Sequence, residues 1–111
     1  LKDGSLVKIN TIKLSGSPDN INVLRDGSLV IANIPKVWAL IQHFIALQNN
    51  EYKPAPSQVV KIEFDDKGNH TVKELFMSEG YDMSTTSVGV IWDEKLFMGS
   101  IDDKQMYICK L

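Results

Sequence analysis

Two adjacent oxygen-bearing side chains, Asp19 and Asn20, follow the turn-like run Gly16-Ser17-Pro18 and open an apolar stretch containing Ile21, Val23 and Leu24. A carboxylate and an amide carbonyl are hard oxygen donors of the kind calcium takes. At a strand entrance both can address one ion in the mouth of a channel. The same pair can form an Asx-turn that only shapes the chain, and spacing alone favours that plainer role.

The remaining candidates carry less chemistry. His43 and His70 are far apart and lack zinc-ligand spacing. His43 falls on the polar side of a helical pattern, which fits a solvated or internally satisfied ring, and His70 reads as a surface residue after a turn. Ser84, Thr85, Thr86 and Ser87 form a hydroxyl cluster, but no G-x-S-x-G elbow surrounds a serine. There is no glycine-rich phosphate loop. Asp102-Asp103 could hold a cation and fits a solvated turn better. Trp38 and Trp92 read as core. No residue present is assigned a catalytic role.

Short strands separated by turns must position these residues. Residues 5–14 alternate and predict a first strand. Residues 20–24 and 28–33 flank Arg25-Asp26-Gly27, and Asp-Gly is a strong hairpin signal because both residues tolerate positive φ. Residues 58–64 and 70–77 flank a second turn at 65–69, and 86–92 and 96–101 flank a third at Asp93-Glu94-Lys95. Residues 105–110 make a last strand. Asp3-Gly4-Ser5-Leu6-Val7 recurs as Asp26-Gly27-Ser28-Leu29-Val30, as repeated propeller blades would produce.

One segment breaks the pattern. Residues 36–49 are rich in helix formers, with Val37, Leu40, Ile41, Phe44 and Ile45 on one face. Pro35 suits a helix start. Trp38, Ala39, Ala46 and Leu47 make the opposite face apolar too, so the helix is expected to be buried or to cover something. Pro54 and Pro56 then stiffen an extended return to the next strand.

Bulk properties narrow the function. A net charge of −2 leaves no basic footprint, which argues against nucleic acid as a partner. A single cysteine, Cys109, rules out an internal disulfide and reads as a small buried hydrophobe. No apolar run reaches the length of about 18 residues that a membrane span needs. The chain opens on Leu1 without a signal peptide, which reads as a fragment or a processed chain.

Taken in order, these segments resemble the arylesterase and paraoxonase family. Asp19-Asn20-Ile21-Asn22-Val23 followed by Asp26-Gly27-Ser28-Leu29-Val30-Ile31-Ala32 resembles the family blade that carries an Asp-Asn calcium pair. Pro35-Lys36-Val37-Trp38-Ala39-Leu40-Ile41 is similar to its hydrophobic helical insertion, and Pro56-Ser57-Gln58-Val59-Val60-Lys61-Ile62 to the returning strand. Thr86-Ser87-Val88-Gly89-Val90, with residues 95–101, resembles its last blade, and Tyr107-Ile108-Cys109-Lys110-Leu111 its C-terminus. Gluconolactonases and strictosidine-synthase-like proteins share the Asp-Asn strand entrance.

The resemblance implies an all-β fold. The chain would form about two blades of a six-bladed β-propeller, with one inserted helix near 36–49. Residues 1–111 would be the C-terminal portion of one propeller domain, with blade segments near 1–78 and 86–111. It implies a C-terminal fragment of a calcium-dependent arylesterase or lactonase, inactive alone, with calcium in the intact propeller and Asp19 and Asn20 as two of its ligands. The family's other calcium ligands and its proposed catalytic histidines lie in blades outside these residues. Many members have His-Pro where this chain has Ile34-Pro35, which puts a proton-relay role there in doubt. The expected partners are the remainder of the propeller or a homo-oligomer, a small-molecule ester or lactone, and a membrane or lipid surface at the 36–49 helix. The residues do not reveal the compartment, and the resemblance favours a secreted, periplasmic or membrane-associated protein. Two other classes stay open, a non-catalytic propeller scaffold and a self-assembling two-blade module. Hydrolysis with and without a chelator separates the first from a hydrolase, and solution mass separates the second.

Overall fold

The computed structural model describes residues 3–111; Leu1 and Lys2, the start of the expected first blade segment, lie outside the described residues. Strands β1 (Ser17–Val23), β2 (Leu29–Ile34), β3 (Ser57–Phe64) and β4 (His70–Ser78) form one antiparallel sheet in the order β1-β2-β3-β4. Strands β5 (Thr86–Trp92), β6 (Lys95–Ser100) and β7 (Tyr107–Lys110) form a second, in the order β5-β6-β7. Helix α1 (Val37–Gln48) is inserted between β2 and β3. The fold is all-β with one short helix, and each sheet has the up-and-down connectivity of a propeller blade.

Local turn chemistry sets the hairpins. At the β1–β2 turn Leu24 N donates to Ser28 O (2.8 Å), and Asp26 Oδ1 accepts from Ser28 N (2.9 Å) and Ser28 Oγ. Gly27 takes φ +85°, a left-handed conformation that costs glycine nothing. The repeat upstream makes the same turn, with Ser5 N (3.0 Å) and Ser5 Oγ (2.7 Å) on Asp3 Oδ1. Between β5 and β6 the loop is only Asp93-Glu94, with φ +50° and +57°, the primed geometry whose twist matches the flanking strands.

The two sheets meet face to face through β5, which packs against β1, β2 and β3. Val30 and Val59 from the first sheet close on Leu96 and Met98 from the second, with Met83 from the connecting loop, all essentially without exposure. Cys109 is a free, half-buried thiol packed on this cluster, in keeping with its expected role as a small hydrophobe. The opposite face of the first sheet carries Ile31, Val60 and Ile62.

Two expectations need correction here. Residues 5–14 form no strand. Ile12 and Leu14 do pack on Ile31, Val60 and Ile62, but Leu6, Val7 and Ile9 are exposed, so only the end of the segment finds an apolar face. The segment lies over the sheet rather than along an edge, and without a neighbouring backbone there is no ladder to join. The tryptophans are not core, since Trp38 and Trp92 are each 69% exposed.

Helix α1 differs in its orientation. Val37, Trp38, Ile41 and Ile45 are exposed, while His43 and Ala46 are buried. It has no side-chain N-cap, no acidic residue in its first turn and no basic residue in its last. Local signals therefore contribute little, and tertiary contacts made by its buried face must hold it.

Candidate functional site

Asp19 and Asn20 sit in an irregularity of β1. Pro18 pairs with Asn33 and Ile21 pairs with Ile31, so Asp19 and Asn20 together stand opposite Ala32 alone. This two-against-one register is a β-bulge, which breaks the strict alternation of side chains and re-aims them. Pro18 and Ile21, three residues apart, accordingly line the same apolar cavity of about 470 Å³ on the outer face of the sheet, where a regular strand would turn one of them away. The two candidate ligands occupy the step where the strand changes phase. That geometry lets neighbouring residues serve one ion.

Asn20 is oriented from across the sheet interface. Its Nδ2 donates to the backbone carbonyl of Ser87 on β5 at 2.8 Å. With the amide nitrogen committed, Oδ1 is the atom left for a cation. Asp19 is exposed and makes no ion pair among the described residues. The pair therefore fits a hard cation by donor type and by availability. It is not a complete site. No group of three His, Cys, Asp or Glu side chains could hold a metal ion among the described residues, and calcium takes about six to eight oxygens.

The same end of the molecule carries a buried polar network that sequence reasoning missed. Helix α1 leaves the first sheet at Ile34, opposite Ser17, and so starts at the Asp19-Asn20 end. His43 is fully buried, with Nδ1 at 2.5 Å from Lys53 O and Nε2 at 2.7 Å from Asp102 Oδ2. Thr85 Oγ1 donates to the other carboxylate oxygen, Asp102 Oδ1, and lies 2.8 Å from Ser100 Oγ. Burial pushes the Asp102 carboxyl up, but hydrogen bonds from Thr85 and His43 together with the histidine's charge outweigh it and hold the group below the usual carboxylate value.

Asp102-Asp103 is thus not a solvated turn. The two residues lie in the β6–β7 connection, where Asp103 Oδ2 accepts from Ser84 N at 3.0 Å. The hydroxyl cluster is structural as well, since Ser84, Thr85 and Thr86 have no exposure. Ser84 Oγ accepts from Ala55 N (2.8 Å), and Thr86 N donates to Ser57 Oγ (3.1 Å). His43 is satisfied rather than solvated, and His70 is exposed at the start of β4, as its sequence position suggested. The signal that could have found the network is the spacing of hydroxyls and carboxylates at both ends of the β5–β6 hairpin, where Thr85 and Asp102 become neighbours once the hairpin closes.

A protein-family model described as Arylesterase matches residues 2–111, nearly the whole chain. No curated protein matches it.

Proposed function

The chain belongs to the arylesterase family, and from that premise we propose that it is the part of a calcium-dependent ester or lactone hydrolase that supplies Asp19 and Asn20 to the metal. The observation that carries this reading is the bulge of β1, which gathers a carboxylate and an amide carbonyl at one step of a strand. Calcium, when bound, polarises the carbonyl of an ester or lactone toward attack by water. The work of this chain is positional. Asp19 brings a negative charge to the ion, and Asn20, held by Ser87 O, turns its Oδ1 outward. The remaining oxygens come from other blades of the propeller, since two protein ligands fall short of the number calcium needs.

Other parts of the chain have supporting roles in this reading. Helix α1 begins at the Asp19-Asn20 end, where it would wall the substrate entrance. Its exposed Trp38, Ile41 and Ile45 are suited to contact with a lipid surface or an apolar substrate. Among the described residues no helix is long and apolar enough to cross a membrane.

The test is hydrolysis of an aryl ester and a lactone by the full-length protein, with and without a chelator. Asp19→Ala should lose both calcium affinity and hydrolysis, because it removes the charged ligand. Asp66→Ala, in the exposed β3–β4 turn, should keep both. An Asp19→Ala protein with unchanged calcium affinity and turnover overturns the assignment.

A further inference from the structure

We propose that His43, Asp102 and Thr85 are positioning residues for the calcium ligand Asn20, acting through the backbone at the start of β5; this rests on the calcium reading above. The starting observation is strain. Thr85 has φ +55°, a left-handed conformation that is a genuine outlier for a β-branched residue. Such a conformation costs about 1–3 kcal/mol and persists only where the surroundings over-determine it.

The surroundings here do so. Thr85 Oγ1 is held by Asp102 and Ser100, and Thr85 O accepts from Ile101 N at 3.1 Å. Asp102 is held in turn by His43. Both ring nitrogens of His43 face acceptors, a carbonyl on one side and a carboxylate on the other. A carbonyl only accepts, so Nδ1 carries a proton. Nε2 faces the Asp102 carboxylate at 2.7 Å. The ring is wedged between α1 and the β6–β7 connection and is pinned at both nitrogens.

The next residues of the chain reach the ligand. Thr86 N is fixed on Ser57 Oγ, and Ser87 O receives the Asn20 amide. Thr85 is two residues from that carbonyl. If its hydroxyl contacts are lost, the strained backbone relaxes, the first residues of β5 shift, and the Asn20 amide loses its anchor. Asn20 can then rotate its oxygen away from the ion. The chain of contacts explains why α1 buries a histidine while exposing Trp38, Ile41 and Ile45. It also gives a use to a strained threonine on the approach to the site. A partner bonded directly to a metal ligand, as Ser87 O is to Asn20, typically costs about 10–100-fold in metal affinity when lost.

The experiment is calcium titration calorimetry on the full-length protein, at a temperature where circular dichroism shows each variant folded. Thr85→Val keeps the shape and removes the hydroxyl, and Asp102→Asn keeps the size and removes the charge. Each should weaken calcium binding about tenfold or more. Thr85→Ser, which restores the hydroxyl, should remain within about twofold of wild type, a rescue that loss of packing alone would not produce. If Thr85→Val does not fold, the comparison of Asp102→Asn with wild type decides the question. Wild-type affinity in Asp102→Asn, alongside weakened binding in Asn20→Ala, overturns the positioning role and leaves the calcium assignment standing. Wild-type affinity in both Asp19→Ala and Asn20→Ala overturns the calcium assignment itself.

Discussion

Asp102→Ala and His43→Leu, singly and together, form a cycle whose outcome follows from the burial of the pair. In Asp102→Ala the imidazole stays behind, fully buried, with Nε2 facing no acceptor, and Thr85 Oγ1 loses its carboxylate. Breaking a buried pair by removing one partner costs about 3–5 kcal/mol. The Asp102 side chain is 22% exposed, so water reaches part of the void and the cost falls near the lower end, about 3 kcal/mol. His43→Leu removes the ring and fills most of its volume, but it strands the Lys53 carbonyl, at about 1–3 kcal/mol. The double variant leaves no orphaned imidazole, so it should be more stable than the sum of the singles predicts, by about 1–3 kcal/mol. Urea unfolding of the full-length variants at neutral pH, with calcium chelated, measures all three. The pH dependence has a definite sign. The folded Asp102 value is depressed, so its contribution is present above the unfolded value and is lost as pH falls through the folded one. The gap between wild type and Asp102→Ala should be full at neutral pH and close only in acid, below about pH 4. Additivity of the two single changes to within about 0.5 kcal/mol would refute the coupling of helix to loop.

Other outcomes follow from single positions. Gly80 has φ +98°, and a Cβ there would lie 2.4 Å from Ala55 O, so Gly80→Ala should destabilise by more than the cost of about 1–2 kcal/mol that left-handed backbone alone imposes. Gly68→Ala, at φ +80° but with open space around it, should show only that smaller cost in the same unfolding assay. Met98 is 1% exposed between the sheets, and Met98→Ala should cost about 2–5 kcal/mol, against less than about 0.5 kcal/mol for Met106→Ala at 61% exposure. Replacing Trp38 and Ile41 by serine should reduce sedimentation of the full-length protein with phosphatidylcholine vesicles while leaving its unfolding midpoint nearly unchanged. Equal sedimentation would remove the lipid role of α1.

Much of the sheet structure was legible because hairpins are local. Asp26-Gly27 demands positive φ and gets it, and β5 spans the residues its alternation marked. The residues matched by the family model were legible in the same way, as an ordered series of short segments. Alternation failed at residues 5–14, where the pattern supplies side chains for one face but no neighbouring backbone. The helical wheel failed at α1, because apolar spacing says which residues can be buried and not which neighbour will arrive. The neighbour that arrived brought a carbonyl and a carboxylate, and the helix turned His43 toward them.

By itself the sequence determined the local geometry: the hairpin turns, the position of the helix and the adjacency of Asp19 to Asn20. These depend on residues within a few positions of one another, and backbone preferences settle them. Only the tertiary structure decided that Asp19 and Asn20 share a bulge opposite Ala32, that Ser87 orients Asn20, and that His43 meets Asp102 across 59 residues of chain. The Asn20 and His43 contacts depend on how one sheet packs against the other and on which loop the helix meets. Contacts between distant segments leave no period or spacing in the sequence by which to read them.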